Sequence, residues 1–158
     1  MALEIERKFL VTDDTWKQQV RKSITIKQGY LSTDPERTVR VRMKGHTGVL
    51  TIKGITRGIS REEFEYTIPS DQAEELLKLC LDAPIEKIRH EILVSGKLWE
   101  LDVFEGANSG LVLAEIELAT AEEAFEHPSW IGQEVSEDPR YFNAYLSKQP
   151  FSNWHEAS

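Results

Sequence analysis

Arg37-Thr38-Val39-Arg40-Val41-Arg42-Met43-Lys44 alternates from end to end. Successive side chains of an extended chain point to opposite sides, so Val39, Val41 and Met43 share one face and Arg40, Arg42 and Lys44 the other. A helix would wind the two sets together. The stretch therefore predicts a strand with one apolar face and one strongly basic face.

The same period runs outward in both directions. Upstream, Met1–Val11 sets Leu3, Ile5, Phe9 and Val11 against Glu4, Glu6 and Lys8. Ser23–Ser32 sets Ile24 and Ile26 against Thr25 and Lys27, with a bulge expected near Gly29-Tyr30. Downstream, Gly45-His46-Thr47-Gly48 has the composition of a hairpin turn and leads into Val49–Lys53. Arg61–Ile68 opposes Phe64, Tyr66 and Ile68 to Arg61, Glu63 and Glu65.

Three further strands follow a break. Ile85–Val94 places Ile88, Ile92 and Val94 opposite Lys87, Arg89 and Glu91. Leu98–Phe104 places Trp99, Leu101 and Val103 opposite Glu100 and Asp102. Leu111–Ala119 places Val112, Ala114, Ile116 and Leu118 opposite Leu113, Glu115 and Glu117. Eight strands joined mostly by short connections predict a mainly β (α+β) fold, a meander closing into an eight-stranded antiparallel barrel.

Helical signals interrupt the strands. Ser70-Asp71 caps a predicted helix through about Leu81, with Ala73, Leu76, Leu77 and Cys80 as its apolar stripe. A short helix is expected over Ala121–Glu126 after Thr120, and a turn or two over Asp14–Arg21. Asp138-Pro139 opens a last helix running to about Lys148. The chain of 158 residues suits one domain over residues 1–150, followed by a tail at 151–158.

The net charge of −8 and pI near 5.1 weigh against nucleic acid as a partner. No apolar run is long enough to span a membrane, and Met1–Val11 is too charged for a signal peptide. Cys80 is the single cysteine, so no internal disulfide can form and the cytoplasm is the expected compartment. The histidines at 46, 90, 127 and 155 lack metal-ligand spacing and read mostly as surface residues. Cys80, on an apolar stripe, reads as core. Trp16, Trp99, Trp130 and Trp154 are expected outside the barrel or near its helices, with Trp130 and Tyr141 as alternatives for seating a plug.

The charges are sorted by strand. Glu4/Glu6, Glu63/Glu65, Glu100/Asp102 and Glu115/Glu117 are acidic pairs at i, i+2, and Arg40/Arg42 and Lys87/Arg89 are basic pairs at the same spacing. Lys8, Lys27, Lys53 and Arg61 fall on the corresponding faces. A lone pair of this kind is an ordinary solvated strand face with ion pairs across it. Six pairs segregated by sign are not. Side chains at i and i+2 sit about 6.6 Å apart and neighbouring strands about 4.8 Å, so acidic pairs on adjoining strands crowd carboxylates around one small volume. Crowded carboxylates repel unless a cation sits among them, and hard divalent ions take oxygen ligands. Clustered Arg and Lys need a concentrated anion. With the apolar faces outward under helices, the lumen would hold eight acids and eight bases. That interior is too costly for a dry core and suits a wet binding tunnel.

Glu4-Ile5-Glu6-Arg7-Lys8 resembles the E-x-E-x-K signature of the CYTH domain superfamily, the triphosphate tunnel metalloenzymes. Lys27-Gln28-Gly29-Tyr30-Leu31, Arg40-Val41-Arg42, Thr51-Ile52-Lys53, Arg61–Glu65, Glu86–Arg89, Glu100–Phe104 and Glu115–Glu117 continue the resemblance in order over nearly the whole chain. It is similar above all to the small bacterial tripolyphosphatases of that superfamily. The resemblance implies an eight-stranded tunnel, closed at one end by a C-terminal helix starting at Asp138–Asn143, that hydrolyses a triphosphate. It implies phosphate-gripping and catalytic roles for Lys8, Arg40, Arg42, Lys53, Lys87 and Arg89, with Lys27 and Arg61 as further substrate contacts. Glu4, Glu6, Glu63, Glu65, Asp102, Glu115 and Glu117 would ligate one or two Mg²⁺ or Mn²⁺ ions, and Glu100 would stand behind them in a salt bridge. The implied partner is a small-molecule triphosphate, with neither nucleic acid nor membrane, on a monomer or homodimer. Two other functions fit the same residues: an enzyme acting on thiamine triphosphate or a nucleoside triphosphate, hydrolysing or cyclising it, and a non-catalytic binder of triphosphate or polyphosphate.

Overall fold

The computed structural model describes residues 2–157, with side chains from Leu3 to Trp154. Met1, Ser158 and the expected surface position of His155 lie outside the described residues. The elements in chain order are β1 (Ala2–Val11), β2 (Val20–Asp34), β3 (Arg37–Lys44), β4 (Thr47–Lys53), β5 (Ser60–Ile68), α1 (Ser70–Leu77), β6 (Ile85–Val94), β7 (Lys97–Phe104), β8 (Val112–Glu117), β9 (Ile131–Glu134) and α2 (Asn143–Lys148).

All eight expected strands form, and β3 and β6 keep the bounds read from their periodicity. The strand order β5-β4-β3-β2-β6-β7-β8-β1 is antiparallel throughout, and β1 pairs back onto β5 with Leu3 opposite Glu62 and Glu4 opposite Arg61. That pairing closes the barrel and leaves the eight wall strands without a free edge. The bulge expected near Gly29-Tyr30 appears as a register shift between Tyr30 and Ser32 in the β2–β3 ladder.

A ninth strand was not anticipated. β9 is four residues long and pairs with the end of β1, Phe9 opposite Glu134 and Val11 opposite Ile131. The expected helix over Ala121–Glu126 does not form. Its Glu123 carboxylate accepts the Ala119 N–H at 2.6 Å and pairs with the Lys97 ammonium. These local bonds compete with a helical turn and hold the segment as a strap. The strap lays Phe125 and Trp130 over Phe9 and Trp99, and Phe9, Trp99 and Trp130 are buried with Ile5, Leu101 and Ile116 in the largest core cluster, outside the barrel wall.

The other helices are shorter than their patterns. α1 ends at Leu77, and Leu81 N–H bonds to Tyr30 carbonyl at 2.9 Å instead of continuing the spiral. Ala73 and Leu77 cover Val41 on the outside of β3. Cys80 packs against Gly29, where a Cβ would lie 2.6 Å from the Cys80 sulfur, so this close approach requires glycine. The last helix is broken: Phe142 is extended at ψ 138°, separating a 3-10 turn at Pro139–Tyr141 from α2. The residues read as a tail also fold, forming a 3-10 turn over Phe151–Ala157 in which Phe151 and Trp154 pack beside Tyr141.

The wall is not helix-covered everywhere. α1 screens only the β2–β4 side, the strap screens β1, β7 and β8, and Phe64 and Tyr66 on β5 remain exposed. Among the described residues no helix is long and apolar enough to cross a membrane.

Candidate active site

Directly opposed residues of antiparallel strands share a face, so the register fixes which side chains enter the lumen. Glu6 faces Glu117 and Lys8 faces Glu115 across β1 and β8. Arg40 faces Tyr30 on one side and Thr51 on the other, and Arg42 faces Gln28. Lys53 faces Glu63, Arg89 faces Asp102, and Glu100 faces Glu115. Within this shell opens a cavity of about 480 Å³ lined by Glu4, Glu6, Lys8, Arg40, Lys53 and Arg61.

One expectation is reversed. On β2, Ile24 opposes Arg89 and Ile26 opposes Lys87, so the apolar residues point inward and Lys27, opposite Met43, is exposed on the outer surface. Alternation alone cannot say which face is inside. Of the charges nominated from sequence, seven bases, Lys8, Arg40, Arg42, Lys53, Arg61, Lys87 and Arg89, and eight acids, Glu4, Glu6, Glu63, Glu65, Glu100, Asp102, Glu115 and Glu117, share the lumen face, and the same pairing adds Lys22, Lys44 and Glu91 to it.

The charges separate into two layers. Below the cavity, Asp102 is buried between Arg89, bonded at 2.8 and 2.9 Å, and Lys87 at 2.8 Å. Both of its oxygens are already held by cations, because the β6–β7 register sets it directly across from Arg89. Asp102, one of the acids expected to bind metal, therefore has both oxygens engaged by Arg89 and Lys87 in this structure. Burial would raise its carboxyl pKa, but Arg89 and then Lys87 outweigh that and hold it far below the usual carboxylate range. Burial pushes the Lys87 ammonium down to about 7, Asp102 opposing and Arg89 and Arg42 adding to the fall. Glu100 reaches Arg89 at 3.5 Å, in the salt-bridging position expected of it.

Around the cavity the acids predominate on β1, β5 and β8. Burial, Glu115 and Glu4 together push the Glu6 carboxyl well above its ordinary value. Burial and Glu4 raise Glu63, while burial followed by Glu4 and Glu100 raises Glu117. Burial would raise Glu4 as well, but the Lys53 ammonium bonded to it brings it below its ordinary value. Burial would lower Lys8, yet Glu115 and Glu6 beside it hold the ammonium above its usual value. Glu115, against burial, is held down to about 2 by Lys8 and Arg89. Glu65 is exposed at the edge of the cluster, 3.4 Å from the Thr51 hydroxyl.

The C-terminal segment closes one end. Leu146 is fully buried against Ile85, Phe104 and Leu113, the apolar ends of the lumen face. Tyr141 packs with this group, whereas Trp130 belongs to the outer cluster and does not seat the plug. The plug is also polar toward the site: Tyr141 carbonyl accepts from Lys8 Nζ at 3.0 Å, and Asn143 Oδ1 accepts from Lys87 Nζ at 3.4 Å. Ser136, Asn143, Tyr30 and Thr51 also line the cavity. They were not singled out from sequence. Tyr30, Thr51 and Asn143 did fall within stretches that carry the family resemblance, and Thr51 also shares a face with Lys53 two positions on.

Among the described residues no three carboxylates, imidazoles or thiols already converge into a metal cage. The donor set nevertheless suits a hard divalent cation. Glu4, Glu6, Glu63, Glu115 and Glu117 offer only oxygen, and burial followed by the neighbouring carboxylates keeps Glu6 and Glu63 raised despite Lys8 and Lys53, a setting that a bound cation would relieve.

A closed barrel with a lumen of segregated carboxylates and cations defines a tunnel fold, and the chain belongs to the CYTH domain family, whose model matches residues 2–144. It is 46% identical over 157 residues, 99% of this chain and 100% of the relative, to an inorganic triphosphatase of Acetivibrio thermocellus. It is 40% identical over 148 residues, 91% of this chain and 96% of the relative, to an inorganic triphosphatase of Nitrosomonas europaea. A crystal structure of an inorganic triphosphatase superposes with a TM-score of 0.67 at 37% identity, covering 93% of this chain and 95% of that one. A Pyrococcus horikoshii protein shares the fold at a TM-score of 0.59 and 19% identity, over 75% of this chain and 81% of its own.

Proposed function

We propose that this chain is a divalent-cation-dependent inorganic triphosphatase that cleaves tripolyphosphate to pyrophosphate and phosphate inside the barrel. One observation carries the reading: a closed barrel whose lumen face carries acids and bases sorted by strand holds a cavity of about 480 Å³ lined by Glu4, Glu6, Lys8, Arg40, Lys53 and Arg61. The bare lumen is close to neutral, so a polyanion enters favourably only together with cations held on the acidic wall. The high identity to two inorganic triphosphatases supports the same substrate.

In this reading Lys8, Arg40, Lys53 and Arg61, which line the cavity, grip the phosphates directly. Arg42, Lys87 and Arg89, buried but outside the cavity lining, add positive potential where charge develops on the leaving oxygens. Glu4, Glu6, Glu63, Glu115 and Glu117 hold one or two Mg²⁺ or Mn²⁺ ions, with Glu65 at the margin. Bound there, such ions supply Lewis acidity and an activated water for in-line displacement. Leu146 and its neighbours close the far end, keep bulk water out and fix how deep the chain of phosphates can enter. The enzyme acts in the cytoplasm on a small molecule, without nucleic acid or membrane, as a monomer or homodimer.

The cavity also touches Pro35, Ile55, Ile59 and Tyr145, an apolar side that favours organic triphosphates as the second reading. Phosphate release from tripolyphosphate, ATP and thiamine triphosphate, each with Mg²⁺, Mn²⁺ or chelator, separates the two. Chelator-sensitive release from tripolyphosphate alone supports the main reading. Faster release from an organic substrate replaces it, and tight binding without release makes the protein a binder.

A further inference from the structure

We propose that Lys53 is a tethered counter-ion that occupies the cation position between Glu4 and Glu63 until a triphosphate draws its ammonium away, so that divalent cation and triphosphate bind with strong positive coupling. The inference rests on the triphosphatase reading and deepens it. Lys53 Nζ lies 2.8 and 3.1 Å from the two oxygens of Glu4 and 3.5 Å from Glu63. An ammonium straddling two carboxylates at these distances leaves no room for a divalent ion to bind both without displacing it or suffering its charge at close range.

Lys53 differs from the other lumen cations in what holds it. Arg89 is bound twice by Asp102, and Lys87 shares the same carboxylate, so both are anchored in the deep layer. Lys8 stands farther from its carboxylate, 3.7 Å from Glu115, and is shared with the Tyr141 carbonyl. Lys53 is held by two nominated cation ligands. It also sits on β4 between the acidic β5 wall and the basic β3 wall, two residues from Thr51, to which Arg40 donates at 3.3 Å. A lysine stem is flexible and its ammonium can turn from one wall toward the other. A phosphate gripped by Arg40 is within the sweep of that stem. Moving to it, Lys53 releases Glu4 and Glu63 to a cation and gains a new partner itself. By linkage, whatever factor the triphosphate contributes to cation affinity, the cation contributes to triphosphate affinity.

The test uses the metal-stripped full chain, its Lys53→Met and Lys53→Arg variants, Mn²⁺, and a non-hydrolysable imido analogue of tripolyphosphate. Mn²⁺ binding without analogue is followed by electron paramagnetic resonance. Analogue binding is followed by calorimetry with and without Mn²⁺, after thermal unfolding has shown each variant folded. Expected is Mn²⁺ affinity about tenfold higher in Lys53→Met than in wild type without analogue. The gain in analogue affinity on adding Mn²⁺ should fall about tenfold in Lys53→Met and persist in Lys53→Arg. A Lys53→Met protein with unchanged Mn²⁺ affinity overturns the proposal. So does higher Mn²⁺ affinity with the coupling unchanged, which would make Lys53 a fixed charge that never leaves. If wild type binds neither Mn²⁺ nor analogue under any combination, the triphosphatase reading itself fails and the proposal with it.

Discussion

Arg89 and Asp102 face each other across β6 and β7 and bond twice, Nε to Oδ1 at 2.8 Å and Nη2 to Oδ2 at 2.9 Å. The carboxylate also holds Lys87, so one acid keeps two buried cations in place under the cavity. The deep layer is therefore preorganised before any ligand arrives.

Asp102→Asn leaves Arg89 and Lys87 without compensation and should cost about 3–5 kcal/mol at neutral pH. The pH dependence follows from the sign of the shift. The folded carboxyl lies far below its unfolded value of about 3.9, so its stabilisation is complete above that value and is lost as pH falls toward the folded one. Thermal melts should show a deficit that is constant above about pH 5 and narrows below about pH 4. A deficit independent of pH down to acid unfolding would contradict the assignment.

Arg40→Ala removes a cavity-lining guanidinium next to Thr51. A charge-assisted contact of about 1.5–3 kcal/mol corresponds to a loss of roughly 10- to 150-fold in kcat/KM for tripolyphosphate. Steady-state kinetics check this, and wild-type values would take Arg40 out of the site.

Glu117→Gln removes one carboxylate from the repelling group and should lower turnover about 100-fold or more at moderate Mg²⁺. The metal-free variant should unfold no lower than wild type, since burial, Glu4 and Glu100 all disfavour the charged form of Glu117. Unchanged turnover across a Mg²⁺ titration would exclude it as a ligand.

Lys27→Ala serves as the contrasting case. With its side chain on the outer surface opposite Met43, the substitution should leave kcat/KM within about twofold and stability within about 0.5 kcal/mol. A larger kinetic loss would mean that β2 presents its other face to substrate.

Leu146→Ala opens a cavity among Ile85, Phe104 and Leu113 and should cost about 2–5 kcal/mol in urea denaturation. An unchanged midpoint would show that α2 does not contribute to the packed end of the barrel.

By itself the sequence determined the strands and the sorting of charge among them. Both depend on local quantities, the two-residue period and the sign of each side chain, and β3 and β6 were legible to the residue. The inward direction was legible wherever charged residues alternated with apolar ones. It failed on β2, where Ile24 and Ile26 face the lumen opposite Arg89 and Lys87, because periodicity separates two faces without saying which one the closed barrel turns inward. β9 was hidden for a related reason: four residues have no pattern of their own and become a strand only by pairing with β1. Tertiary structure also decided which acids are free. Asp102 and Glu115 carry the same chemistry in sequence, yet register gives Asp102 to Arg89 and Lys87 and sets Glu115 beside Lys8 and the acidic wall. Spacing along a strand fixes which face a charge shares. Only the pairing of strands far apart in the chain fixes which opposite charge it meets.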